Sequence, residues 1–544
     1  MLLARVALAQ PADLVLRDAR VYPLDGAPTE AVAVRAGRIV YVGPNSGVEA
    51  LTGPGTRVLS LPGRMVLPAF HDCHVHPLEG GVELGRLLLD SSATSPQVWL
   101  DRLAAYAREH PEKSWIVGGG WANPLFPEGN PSRKLLDAVV SDRPVYLVTA
   151  DGHSAWLNSA ALAAAGITRE TPDPPGGRIE REKDGAPAGT LRENALALVA
   201  PFLPPTTLEE RQEGLRKALA MAHSFGITTL HEAHARDEAD LSAYAALEAG
   251  GELKARIIAS LHTEPGQGAG QVGQLIALRK RYLSRLLRPT AAKIFADGVI
   301  ESRTAALLQP YSDKTSGMLN FPPDELTALV VALDRAGFQV HVHAIGDRAV
   351  RLTLDALEQA RRANGRRDAR HHLAHLELVH PDDLPRFASL EVGATVQPLW
   401  AQRDSYIREL SEPFLDAERN ARLYPLAALA RHARLAGGSD WSVSSMNPLQ
   451  AIEVAVTRRG PDEPAGPPWL PEQRLDLDTA LRAYTVGGAY ASFQENETGT
   501  LTVGKAGDLI VLERDLYQIE PGEIGSVKVL RTFFEGEEVY TASP

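Results

Sequence analysis

The hydrophobic pattern of this chain changes twice along its length. In the first sixty-odd residues, "DLVLRDARVYPLDG", "AVAVRAGRIVYVG" and "TRVLSLPGRMVLPA" alternate apolar and polar positions between Gly, Pro and Asp-Gly punctuation. That pattern predicts short half-buried strands. The last fifty or so residues return to it in "TGTLTVGKAGDLIVLERD" and "VKVLRTFFEGEEVYT". Strand-rich ends around a different middle predict that residues 1–66 and 491–544 pair into one small β-sandwich domain.

The middle, 67–490, alternates helical and strand periods. "TTLEERQEGLRKALAMAHSFG" opens with a capping-box pattern, Thr206 to Glu209, and closes on Gly226 before the strand "ITTLHEAH". Further strand patterns follow in "ARIIASLHT", "AAKIFADG", "FQVHVHAIGD", "RHHLAHLEL", "VGATVQP" and "ARLAGGSD", most of them separated by a helical stretch. With "MVLPAFHDCHVH" as the first strand, eight βα units result, the number a (β/α)8 TIM barrel requires. A Pro- and Gly-rich insertion, about 90–205, separates the first two strands. The fold class expected is therefore α/β: a TIM barrel, a sandwich built from both termini, and a long insertion after barrel strand 1.

Length agrees with that architecture, because one α/β barrel absorbs about 250 residues or more. A formal charge of −12 argues against a nucleic-acid partner and against an anionic membrane surface. No apolar run approaches the ~18 residues of a membrane span. The N-terminal "MLLARVALAQ" carries an Ala-Leu-Ala before Gln10, like a signal-peptide cleavage site, but is shorter than the ~15–30 residues of a complete signal. A cytoplasmic protein is expected, with export as the alternative if that segment is a truncated signal. A single cysteine excludes an internal disulfide framework and any Cys-rich zinc module, which leaves the sixteen histidines as the ligand inventory.

A barrel keeps its chemistry at the C-terminal ends of its strands, and there the ligand-type residues fall. His74 and His76 end strand 1, Lys293 and Asp297 lie on strand 4, and His341 and His343 on strand 5. His371, His372 and His375 lie on strand 6, and Asp440 closes strand 8. Alternation puts Asp72, His74 and His76 on one face of strand 1 and His71, Cys73 and Val75 on the other. An isolated His-x-His in a strand is a weak signal, since such pairs are often half-buried polar residues; joined to the other strand ends it becomes a strong one. Asp72, beneath the two histidines, is expected to orient a ligand. Cys73 is expected to be a small buried hydrophobe. Parity alone separates neither His341 from His343 nor His371 from His375.

"LPAFHDCHVHP", "PVYLVTADGHSAWLNSAAL", "KIFADGVIESRTAALLQPYSD", "HVHAIGDRAV", "HLELVHPDDLPRF", "GGSDWSV" and "TGTLTVGKAGDLIVLERD" together resemble the amidohydrolase superfamily of metal-dependent hydrolases. Within it they resemble the third amidohydrolase sequence family, which includes N-substituted formamide deformylase-like proteins. The resemblance covers almost the whole chain. It implies that His74 and His76 bind one metal and that Lys293 is the carboxylated lysine bridging two. It also implies that His343 and His375 serve the second metal and that Asp440 binds the first and handles protons. Two positions depart from the family pattern: Ala69 and His71 stand in the usual Pro-Gly-Phe-(aliphatic)-Asp stretch, and Glu301 stands where glycine is common.

The residue types suit that chemistry on their own terms. Imidazoles and carboxylates are usual ligands of catalytic zinc, and a metal pair ~3.5–4 Å apart acidifies a bound water and polarises a carbonyl. A lysine with a depressed pKa takes up carbon dioxide as a carbamate; the competing reading of Lys293 is a buried ion pair with a carboxylate such as Asp297. His153 in "DGHSAWLN" and Arg303 are further catalytic candidates, against a turn or cap role for His153 and a surface salt bridge for Arg303. Trp121, Trp156, Trp400 and Trp441 line either a pocket or a core. The basic run "ARRANGRRDARHH" is expected to be a solvated helix end.

The expected activity is hydrolysis of a non-peptide C–N bond (amide, formamide or cyclic amide) by attack of metal-bound hydroxide, with one or two Zn2+ or similar ions. The alternatives are a deaminase or an esterase/lactonase of the same fold, or a non-catalytic metal-binding scaffold. Lys293 speaks against the deaminase, since mononuclear deaminases of the superfamily do without a bridging lysine. A small-molecule substrate and a homodimer are the expected partners.

Overall fold

The computed structural model describes residues 10–543 apart from 90–92, 123–124, 127–128, 150–153, 175–176 and 462. The chain divides into two compact units, residues 1–78 with 218–544, and residues 79–217.

The first unit holds the sandwich and the barrel. One sandwich sheet has the strands Arg38–Gly43, Ala31–Arg35, Leu14–Arg17 and Arg57–Ser60. The other has Arg20–Val21, Met65–Pro68, Leu509–Leu512, Val529–Phe534 and Glu537–Thr541. Alternate side chains from both termini (Leu14, Leu16, Val32, Val34, Val66, Leu509, Val511 and Phe533) share one core. "MVLPAFHDCHVH", expected as a single strand, is two. Met65–Pro68 pairs antiparallel with Leu509–Leu512 in the sandwich, and the barrel begins only at Phe70.

The barrel strands, all parallel, are β1 Phe70–Val75, β2 Ile227–Ala235, β3 Arg256–His262, β4 Leu287–Phe295, β5 Gln339–Ala344, β6 His372–His375, β7 Gly393–Val396 and β8 Leu435–Gly437. Helices α1 Leu208–Ser224, α2 Glu238–Ala249, α3 Val272–Tyr282, α4 Pro323–Arg335, α5 Asp347–Asn364, α6 Leu384–Leu390, α7 Leu426–His432 and α8 Pro448–Thr457 alternate with them. The capping box of α1 lies one residue later than the pattern suggested. The Thr207 hydroxyl accepts from the Glu210 amide at 3.1 Å, and the Glu210 carboxylate accepts from the Thr207 amide at 2.9 Å. Such a box satisfies two amide groups that a helix start leaves without intrahelical partners.

Beyond the end of β8 the ring closes onto β1. The Asp440 amide donates to the His74 carbonyl at 2.7 Å, and the His76 amide donates to the Trp441 carbonyl at 2.8 Å. Closure thus carries the residues after β8 to the C-terminal end of β1.

The second unit, which the Pro- and Gly-rich composition had suggested only as an insertion, contains a six-stranded sheet. Its strands, in spatial order, are Gly177–Arg181, Pro187–Glu193, Ser154–Leu157, Val145–Thr149, Ile116–Trp121 and Leu87–Leu88. The glycine run of "IVGGGW" lies inside a strand because the neighbouring backbone comes close. A Cβ at Gly118 would sit 2.2 Å from the Leu87 carbonyl oxygen. Trp121 and Trp156 are fully buried here with Trp99, Leu103 and Leu136, so they are core residues of this unit. Among the described residues no helix is long and apolar enough to cross a membrane.

Candidate metal centre

The C-terminal ends of β1, β4, β5 and β6 and the segment after β8 converge on one cluster. His74 Nε2 lies 3.4 Å from Asp440 Oδ1 and 3.2 Å from Lys293 Nζ, and His76 Nε2 lies 3.0 Å from the same Asp440 oxygen. The His375 ring is centred 4.7 Å from that of His74 and 4.4 Å from that of His343. All six residues proposed from sequence as ligands are therefore neighbours.

Local sequence explains how they meet. In "GGSD", a Cβ on Gly438 would sit 2.7 Å from that of His74, so only glycine lets the segment run against β1. Asp440 follows with φ 54°, a left-handed turn that Asp tolerates better than most residues. Asp72 holds this segment in place. Its carboxylate accepts from the Ser439 hydroxyl at 2.5 Å, the Ser439 amide at 3.0 Å and the His74 amide at 3.2 Å. These bonds place Asp72 to position the loop that carries Asp440, one of the proposed ligands.

Strand β6 corrects the parity argument. His371 and His375 do not share a face: His371 Nε2 meets Asp334 of α4 at 3.1 Å, outside the barrel. Alternation would send His375 outward too, but positive φ at His375 (75°) and Leu376 (55°) ends the strand and turns the His375 ring to the mouth. His372 faces the barrel axis, with Nδ1 2.9 Å from Thr395 Oγ1. On β5 both histidines do face inward, at different depths. His341 lies under His74, whereas His343 lies beside His375.

Each of the four upper imidazoles has one nitrogen committed away from the cluster or facing an outer acid. His74 Nδ1 meets His341 Nε2 at 2.8 Å, His343 Nε2 donates to the Gly298 carbonyl at 3.1 Å, and His375 Nδ1 meets Gln397 Oε1 at 3.0 Å. His76 Nδ1 faces the buried Glu232 carboxylate at 3.8 Å. A metal-binding histidine is held in this way, through its other nitrogen. Protonation states match: burial drives His74 and His375 well below the ordinary imidazole value and His343 to about 4, so these three are neutral donors. Burial is the largest single influence on His76 and opposes its charge, but the hydrogen bond to Asp440 and the nearby Asp440 and Glu232 carboxylates together outweigh it and raise that group.

Lys293 is fully buried and its pKa falls to about 7 through desolvation, partly offset by Asp440 and Glu232. It is not paired with Asp297. That carboxylate lies past the end of β4 and accepts instead from the amides of Ile345 (3.1 Å), Gly346 (2.9 Å) and Ala306 (2.9 Å). It thereby ties the β4 loop to the "HAIGD" turn that carries His343. The donor set (four imidazoles with a nitrogen facing the cluster, a carboxylate and an amine that burial brings down to about 7) fits a divalent metal centre with nitrogen and oxygen ligands.

Two further catalytic candidates were named from sequence. His153 lies outside the described residues. Arg303 is exposed, pairs with Asp313 at 3.0 Å and sits over the Phe414 ring; this is the surface salt bridge weighed against a substrate contact. Trp400 stacks on His375 with ring centroids 5.5 Å apart, and Trp441 is buried at the barrel closure. Glu301, the departure from the family pattern, is partly buried and accepts from Ser411 at 3.5 Å. Cys73 is buried with Ala436 and Ala491, as a small hydrophobe. Sequence reasoning missed Glu232 and Gln397. Glu232 lies in the C-terminal half of β2 and Gln397 directly follows β7, and that position was the available signal.

A closed parallel barrel with histidines, a lysine and an aspartate at its strand ends is the architecture of the metal-dependent hydrolases. The chain belongs to the amidohydrolase family, whose sequence profile matches residues 57–540. It is 32% identical over 530 residues to a putative amidohydrolase, YtcJ, of Bacillus subtilis, covering 95% of this chain and 97% of that one. It is 28% identical over 553 residues to the N-substituted formamide deformylase of Arthrobacter pascens, covering 97% and 98%. Among solved structures, a metal-dependent hydrolase from Pyrococcus horikoshii superposes with a TM-score of 0.78 at 25% identity, covering 94% of this chain and 99% of that one.

Proposed function

We propose that this protein hydrolyses a non-peptide C–N bond of a small molecule, an amide, formamide or cyclic amide, at a two-metal centre. The observation that carries the reading is the buried Lys293. Beside His74 and Asp440, burial lowers its amine from 10.5 to about 7, so that a large share is uncharged at physiological pH. His74, His76 and Asp440 would hold one divalent ion, zinc by donor type, and His343 and His375 would hold a second. The neutral Lys293 amine would form an N–C bond to carbon dioxide and release a proton, which would leave an anionic carbamate as an oxygen ligand.

A bound divalent metal supplies Lewis acidity and lowers the pKa of water towards ~7. Asp440 takes a proton at its carboxylate and delivers it to the departing nitrogen, a transfer that hydrogen-bond reach to the reacting atoms permits. Asp72, through Ser439, keeps that carboxylate aimed at the cluster. Trp400 covers one face of His375 and keeps water from it. The formamide deformylase relative supports a formamide or a related amide as substrate.

The test is a hydrolysis screen over N-formyl, N-acyl, ester and lactone compounds with elemental analysis in parallel. Turnover of an amide or formamide with about two divalent ions per chain is expected, lost on chelation and restored by zinc. Active protein that carries no metal would end this reading.

A further inference from the structure

Below the cluster, along the barrel axis, lies a second set of buried histidines that the proposed chemistry does not use: His231 on β2, His341 on β5 and His372 on β6. We propose that His341, Ser260 and His231 form a hydrogen-bond chain that positions the His74 ring for metal binding at Nε2.

The direction follows from atom-by-atom donor accounting. His74 Nε2 faces Asp440 and Lys293, so a metal there takes the Nε2 lone pair and leaves the proton on Nδ1. That Nδ1–H must donate to His341 Nε2, 2.8 Å away. His341 Nε2 is then an acceptor, and its proton sits on Nδ1, 2.9 Å from Ser260 Oγ. Ser260, having accepted there, turns its own O–H to His231 Nε2 at 2.8 Å. With that start, reversing His341 or Ser260 alone leaves two donors or two acceptors face to face; the chain ends at His231, whose Nδ1 has no hydrogen-bond partner among the described residues. Residues on three strands beyond β1 thus hold the imidazole ring of one ligand, in a fully buried place where a lost partner is costly.

The lower trio is not itself a second metal site, although its nitrogens lie within 4.8 Å of one another. Both nitrogens of His341 are engaged, by His74 and by Ser260, so it has no lone pair to give. His341 is therefore a positioning residue, which separates it from its neighbour His343 on the same face of β5.

The inference rests on reading His74 as a metal ligand, and its test reads zinc rather than turnover. Zinc affinity is measured by chelator competition on the full chain for wild type, His341→Phe, His341→Gln and Ser260→Ala, with a melting curve of each metal-free protein. Loss of an outer partner of a metal ligand costs about 10–100-fold in affinity, and His341→Phe is expected to show that loss. His341→Gln puts an amide oxygen near the Nε2 position and is expected to recover most of it. Wild-type affinity in the Phe variant, or equal loss in Gln and Phe, would overturn the chain. Should the Phe variant not fold, Ser260→Ala decides: a several-fold loss supports the chain, and unchanged affinity overturns it. A wild type that binds no zinc would sink both this inference and the metal-hydrolase reading, whereas zinc binding without any hydrolysis would sink only the activity.

Discussion

Lys293→Met keeps the length of the side chain and removes its amine. Burial lowers that amine from its ordinary 10.5 to about 7. One pKa unit corresponds to about 1.4 kcal/mol, so at pH 7 the bare amine costs the fold on the order of 4–5 kcal/mol. The unfolded chain holds its proton up to pH 10.5 and the folded chain releases it from about 7. Between those values the unfolded state binds more protons, so wild-type stability rises with pH across that window and the penalty fades near 10.5. Metal-free Lys293→Met is therefore expected to be more stable than metal-free wild type by a few kcal/mol at pH 7, with the gap closing towards pH 10.5. Urea unfolding of chelator-treated proteins at several pH values measures it. The same variant is expected to lose one metal ion per chain and its turnover, together with the carbamate signal that wild type gives with carbon-13-labelled bicarbonate. A lysine kept for stability gives the opposite pattern. If Lys293→Met were less stable at pH 7 and kept its full metal content, the carbamate reading would fall.

Asp440→Asn is expected to melt close to wild type, because the Asp440 amide still donates to His74, and to lose turnover by about 10²–10⁴-fold, the range for a general acid–base group; near-wild-type rates would remove Asp440 as the proton carrier. His223, at the end of α1, donates from Nε2 to the Lys254 carbonyl at 3.0 Å and is lowered by burial from 6.5 to about 4. As pH falls from 6.5 to 4 the unfolded chain takes up a proton that the folded chain refuses. The contribution is thus fully present above 6.5 and falls by on the order of 3 kcal/mol across that window. His223→Gln, which keeps an N–H donor, is expected to flatten the acid side of a melting-temperature profile, and an unchanged slope would refute that assignment.

Strand β1 was readable from the chain because it obeys alternation to its end. His74 and His76 share a face, His71 and Cys73 take the other, and one buried environment on each side leaves no ambiguity. The sandwich was readable for the same reason. The sheet of the second unit was not. It packs a hydrophobic core on each face, one around Trp121 and Trp156 and another around Leu157, Ile179 and Leu191, so its strands lack a polar side. Its glycines answer a close backbone approach that sequence does not record.

Strand β6 shows why alternation alone could not complete the centre. "RHHLAHLEL" offers three histidines, and the structure gives them three environments: His371 outward to Asp334, His372 inward to the axis, His375 to the mouth. Parity pairs the first with the last and is wrong, because the backbone leaves the strand conformation at His375. A positive φ at a histidine costs on the order of 1–3 kcal/mol and gains nothing locally. The cost is met by tertiary contacts: Gln397 holds Nδ1, Trp400 stacks on the ring, and the Leu376 amide donates to the Ala344 carbonyl at 3.1 Å. Strain at a position so held points to function, and it picks His375 from the three by a physical criterion independent of the family pattern. Applied to β8, the same criterion picks Asp440, whose φ of 54° follows a glycine pressed against His74. Two residues proposed as ligands are thus marked by backbones that only the assembled barrel sustains.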